Sequence, residues 1–199
     1  MGHPAERRPR FATPADLEAA PAQNLTEFIA GTRHPFPRHT PAQAHTASRL
    51  GRRLGPFDDD PGGPGGWVLL DTPELHLGQS VLVPDLAGWR IARMPRLPRK
   101  AHFTLAPDWI AEVLSPSTTA HDRAAKMPVY AAAGVPWVWL IDPLLRFLEV
   151  HHLGPDDRWT VAQVYRGEGR VRAFPFDAIE LGLASLWPSF EDEPPDTTR

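Results

Sequence analysis

The stretch Asp108-Trp-Ile-Ala-Glu-Val-Leu-Ser-Pro-Ser-Thr118 decides how the fold is read. Trp109, Ile110, Val113 and Leu114 are strand formers of the kind that fill a sheet. Ser115-Pro-Ser117 ends the run, because proline has no amide proton for the ladder and serine favours turns. Glu112 lies inside this apolar run. A lone carboxylate there is costly unless it is paired, hydrogen-bonded or bound to a cation. What stabilises Glu112 is the question the rest of the chain has to answer.

Downstream, Thr118 or Asp122 can cap a helix running to Ala133, with Gly134 as its stop and Pro136 beyond. Pro128 removes one backbone bond from that helix and predicts a kink or a short first turn. Asp122, Lys126 and Tyr130 share a face at i, i+4 spacing. Trp137-Val-Trp-Leu-Ile141 reads as a strongly apolar strand. Residues 146–152, 159–165 and 171–174 follow as a meander, and residues 177–187 as a small closing segment.

Upstream, Asn24 to Gly31 fits a strand or a turn of helix. Thr40-Pro-Ala-Gln43 is a helix start: threonine caps, proline presets φ, and glutamine completes a capping box. Ala44, Ala47, Leu50 and Leu54 form its apolar stripe, with His45, Arg49 and Arg52 on a face expected to be solvated. After a glycine-rich loop at residues 58–66 come strands over 67–70, 74–77 and 81–87, the last two a hairpin about Gly78-Gln-Ser80. In that hairpin Glu74 is expected opposite Asp85 or one position off. Residues 89–100 then carry five positive charges and no acid, which suits a solvated connection or a grip on phosphates.

The chain has 199 residues with 42% hydrophobic content, enough for one core with tails. We read residues 1–34 as a flexible N-terminal segment, 35–187 as the domain and 188–199 as a disordered acidic tail. There is no cysteine, which excludes thiolate metal sites and disulfides and fits a reducing, cytoplasmic setting. No apolar run reaches the ~20 residues of a membrane span, and Met1 to Arg10 has no apolar segment after it as a secretory signal would. A net charge of −3 makes any nucleic-acid contact local. The apolar strand at Trp137 to Ile141 and the hairpin after it are expected to offer an edge to a homodimer.

Asp85, Glu112 and Lys126 could together carry chemistry. Two carboxylates on adjacent strands can share a hard divalent cation, Mg²⁺ or Mn²⁺, through oxygen ligands. Such an ion acidifies a bound water and offsets charge on a phosphoryl oxygen, while an ammonium steadies the transition state. The same residues also suit a plain structural bridge, with Glu112 paired to Arg123 or Lys126.

Val83-Pro-Asp-Leu86, the 107–118 stretch, Asp122 to Val135 and Trp139-Leu-Ile-Asp-Pro143 together resemble the Uma-type endonuclease family of the PD-(D/E)XK nuclease-like superfamily. The resemblance implies an α/β (α+β) fold with a restriction-endonuclease-like core, a mixed β-sheet flanked by helices. It implies metal-dependent hydrolysis of DNA phosphodiester bonds, with Asp85 and Glu112 as metal ligands. The superfamily's lysine usually lies two residues after the second acid. Here Leu114 stands there, so the resemblance points to Lys126 on the next helix. Glu74 falls where relatives carry a further acid and is a weaker metal candidate. The first helix offers Gln43 and His45 where an acid is common, with Glu27 a possible substitute. The alternative is a catalytically inactive nuclease fold that binds nucleic acid or a protein partner.

Overall fold

A computed structural model describes residues 26–35, 38–58 and 62–191. Its frame is a six-stranded mixed sheet in the order β10-β9-β8-β7-β6-β3. The strands are β3 (Trp67–Asp71), β6 (Leu86–Arg90), β7 (Trp109–Val113), β8 (Trp137–Asp142), β9 (Phe147–Leu153) and β10 (Trp159–Arg166). Only β7 and β8 run parallel; every other pair is antiparallel. The parallel pair needs a crossover, and the helical segment between the strands supplies it.

A second sheet, in the order β2-β1-β5-β4, comprises β1 (Thr26–Ile29), β2 (Thr32–Pro35), β4 (Leu75–Leu77) and β5 (Ser80–Leu82). The expected single strand over 81–87 is thus two strands in two sheets. Pro84 causes the break: it cannot donate to a ladder, and the chain changes sheets around it. The ambiguous segment at Asn24 to Gly31 resolves as strand β1 from Thr26, with all four residues buried. The expected domain boundary at residue 35 therefore cuts too late, since residues 26–34 are paired strands of the folded unit. Residues 1–25 and the tail from 192 lie outside the described residues.

Helix α1 (Pro41–Leu54) starts as its sequence dictates. Thr40 Oγ1 accepts from the Gln43 amide, and Gln43 Oε1 accepts from the Thr40 amide, closing the capping box. Leu50 and Leu54 pack with Trp67, Trp109, Trp139 and Phe176 on one face of the large sheet. Leu181, Leu183 and Leu186 of the closing segment complete that core. Gly88 lets the strands approach there, because a Cβ would sit 2.8 Å from Leu69 Cδ2 and 3.3 Å from Trp109. The opposite face carries Leu75, Leu82, Trp89, Ile110, Tyr130 and Leu140. Trp89 is fully buried in this second core and donates to the Leu105 carbonyl.

The crossover is α2 (Thr119–His121), a π-helical turn (Asp122–Lys126) and α3 (Met127–Ala132) in succession. Pro128 sits in the first turn of α3, where its missing N–H costs least, and the disturbance falls upstream as the π turn. Gly134, at φ 72°, stops the helix as expected. Strand β8 is enclosed by β7 and β9, so Trp137 to Ile141 is not a sheet edge; β10 and β3 are the edges. No helix among the described residues is long and apolar enough to cross a membrane.

Candidate active site

Side-chain alternation places Asp85 and Glu112 together. Leu86 pairs with Ala111 and both face the α1 core; Ala87 pairs with Ile110 and both face the other. Extending the register one step sets Asp85 opposite Glu112, on the face of Ala87 and Ile110. The local backbone is clamped from both sides. Val113 N–H donates to Asp85 Oδ2 at 2.6 Å, and the Val113 carbonyl accepts from Gln43 Nε2 at 2.8 Å. Gln43 therefore serves β7 as a strut.

Glu112 is stabilised by Lys126 and Tyr130. The Lys126 ammonium lies 3.3 and 3.2 Å from the two Glu112 carboxylate oxygens, and the Tyr130 hydroxyl donates to Oε1 at 2.5 Å. The π turn and the following helical turn aim both side chains at the strand. Lys126 also reaches Glu27 Oε1 at 3.0 Å and Asp122 Oδ1 at 3.3 Å. Glu27 projects from β1, where Val83 N–H and His121 Nε2 each approach its carboxylate at 2.9 Å. Arg123, the rival partner for Glu112, pairs with Glu149 instead.

Three carboxylates thus contact one fully buried ammonium, and Asp85 adds its charge from farther off. Burial alone would discharge Lys126, but Glu112, Glu27, Asp122 and Asp85 outweigh it and hold the lysine protonated well above its usual range. Burial pushes Glu112 well up; Lys126 opposes this, while Asp122, Asp85 and Glu27 add to it. Asp122 is raised by burial too, against the pull of Lys126 and Thr118. Burial also opposes ionisation of Glu27, yet His121, Lys126 and the Val83 amide together bring its carboxyl below the usual value. Asp85 meets His39 Nε2 at 2.9 Å through Oδ1, and this hydrogen bond and charge raise the imidazole.

Glu27, Asp85, Glu112 and Lys126 are almost wholly enclosed. Asp85 forms part of the wall of a cavity of about 160 Å³ that also involves His39, Ala44, Ser48, Asp71 and Thr72. Ser48 and Asp71 also line a larger cavity of about 520 Å³ beside Arg52 on α1. Of the buried cluster, Asp85 is the acid that lines the smaller cavity. The chain matches the Uma2 family, described as a putative restriction endonuclease, over residues 14–184. It belongs to the Uma2 family. No curated protein matches the sequence. A crystal structure of a putative nuclease belonging to DUF820 from Anabaena variabilis superposes with a TM-score of 0.71. That protein is 20% identical, and the match covers 88% of this chain and 97% of that one, a likeness of fold.

The structure brings Asp85, Glu112 and Lys126 into one cluster. Leu114, two residues past Glu112, is buried and apolar, so that position offers the acids no polar group. Glu74 falls elsewhere. Leu75 pairs with Leu82, and Thr72 rather than Glu74 faces Asp85. The Glu74 carboxylate binds His76 at 2.7 Å. Tyr130 and Asp122 were legible only as helix-face neighbours of Lys126, and His39 carried no sequence signal at all. Of the basic stretch, Arg90 lies over the Trp67 ring at 4.0 Å and Arg93 pairs with Asp108, while Arg96, Arg99 and Lys100 line a cavity of about 590 Å³.

Proposed function

We propose that this Uma2 chain is a metal-dependent endonuclease acting on DNA, with Asp85 and Glu112 as the groups that hold Mg²⁺ or Mn²⁺. The supporting observation is the crowding of acids: three buried carboxylates contact one ammonium, and Asp85 lies opposite Glu112 on the neighbouring strand. All donors are hard oxygens, which fits Mg²⁺ or Mn²⁺ rather than a thiophilic ion. Such an ion would acidify its water and offset charge on the phosphoryl oxygens.

The chain's own groups do the rest. Asp85 is fixed by the Val113 amide, and Glu112 by Lys126 and Tyr130, so both carboxylates are held in place before substrate arrives. Lys126 stays an ammonium; it orients a water by donation and steadies negative charge, and is not a base. Glu27 holds Lys126 from the side away from the large sheet's strands and so acts as a positioning residue. DNA as substrate is carried by the family alone.

The test is cleavage of supercoiled and linear duplex DNA with Mg²⁺ and Mn²⁺ across enzyme concentration. Metal-dependent nicking that disappears in Asp85→Asn is the expected result. Cleavage of mononucleotide esters but not duplex DNA would indicate a small-nucleotide phosphodiesterase. A second reading has its own support: Lys126 is fully buried with three carboxylates around it, the form of a structural bridge in an inactive nuclease fold. Failure to cut DNA or RNA with either metal, together with failure to bind the metal, would favour that reading.

A further inference from the structure

Away from the acid cluster, Glu74, His76 and His102 bring one ligand atom each to within 4.8 Å of one another. We propose that these three residues form a separate site for a divalent transition ion of the zinc class, pinning the basic segment 91–105 onto β4. This inference stands whether or not the chain is a nuclease.

The backbone makes the grouping. Leu75 and Phe103 form a parallel bridge, with His76 N–H donating to the Phe103 carbonyl and Phe103 N–H donating to the Glu74 carbonyl, each at 2.8 Å. Leu75 and Phe103 turn into the second core. By alternation Glu74, His76 and His102 point away from it together, on two chain segments already tied by two hydrogen bonds. The cost of assembling the ligands is therefore largely met by the fold. All three are half-buried, which leaves room for a solvent or substrate ligand.

Two imidazoles and a carboxylate suit zinc, cobalt or iron(II) far better than magnesium, which prefers oxygen. The Glu74 to His76 bond at 2.7 Å already sets one pair of ligands. The His76 and His102 rings stack 3.9 Å apart, 10° from parallel, so their in-plane lone pairs run side by side. His102 also lines the cavity shared by Arg93, Arg96, Arg99 and Lys100. An ion there would fix the conformation of the cationic loop.

The test uses the full chain carrying Glu112→Gln, so that ions at the buried acids contribute little. Titration with Co²⁺, read by its visible absorption, should saturate at one equivalent, and Zn²⁺ should displace it while millimolar Mg²⁺ does not. His102→Ala and His76→Gln should each weaken Co²⁺ binding at least tenfold, with unchanged far-UV circular dichroism. Zn²⁺ should also slow tryptic cutting after Arg96 and Lys100 in the parent but not in His102→Ala. No saturable binding, or binding that both variants leave intact, overturns the proposal. So does displacement by Mg²⁺, which would place the ion on oxygen ligands elsewhere.

Discussion

Replacing Lys126 with methionine isolates the charge balance of the buried cluster. The side chain keeps its length and apolar stem but loses the ammonium that lies 3.0 Å from Glu27, 3.2 Å from Glu112 and 3.3 Å from Asp122. At an effective dielectric of 20 each of those contacts carries about 5 kcal/mol of gross attraction. Desolvation of the lysine takes back several of them, and removing one partner of a buried pair costs a net ~3–5 kcal/mol. With three carboxylates left facing one another, we expect the upper half of that range at pH 7.5. In a chain of this size that is a fall in Tm of about 10–20 °C. The deficit should shrink at pH 5. Carboxyls stripped of the ammonium bind protons more tightly in the folded than in the unfolded state, so the variant gains stability as pH falls. Glu112→Gln is the contrast. Burial already disfavours ionised Glu112, and its neutral isostere should cost under about 2 kcal/mol. The assay is urea unfolding of the three proteins at both pH values. A Lys126→Met protein within 1 kcal/mol of the parent at pH 7.5, or one no worse than Glu112→Gln, would refute the reasoning.

Three further outcomes follow from the same geometry. Gln43→Ala removes the strut to the Val113 carbonyl and half the capping box, and should cost about 1–3 kcal/mol by denaturant unfolding. His39→Ala should matter most in mild acid: the folded value is raised by Asp85, so the pairing is fully present below pH 6.5 and fades as pH rises through that raised value. The Tm gap from the parent should be wider at pH 6 than at pH 8.5. Asp85→Asn should keep the fold yet abolish metal-dependent DNA cleavage, since Asn can no longer offer two anionic oxygens.

Local chemistry was well written in the chain. Thr40 to Gln43 forms the capping box its order implies, Gly134 stops the helix, and Glu112 is tolerated in its apolar strand because a cation faces it. Those readings needed only neighbours. What depended on long-range pairing was harder. Pro84 lay inside the strand expected over 81–87, and nothing local showed that the chain would change sheets there, so Glu74 was expected beside Asp85 and instead meets His76 and His102. Glu27 sits in a four-residue strand too short for a clear period, and only pairing with β2 and β5 brings it to Lys126. His39 is one residue before a cap and is recruited only through its long-range contact with Asp85. The apolar run at Trp137 to Ile141 announced burial correctly but not that β9 would cover its outer side, which removed it as a dimer edge.

The most direct check on the account is Mn²⁺ binding to the folded parent, Asp85→Asn and Glu112→Gln, followed by electron paramagnetic resonance at neutral pH. The account predicts one tightly held Mn²⁺ in the parent and at least a hundredfold weaker binding in each variant. A parent that holds no Mn²⁺, or holds it equally well after either substitution, would contradict it.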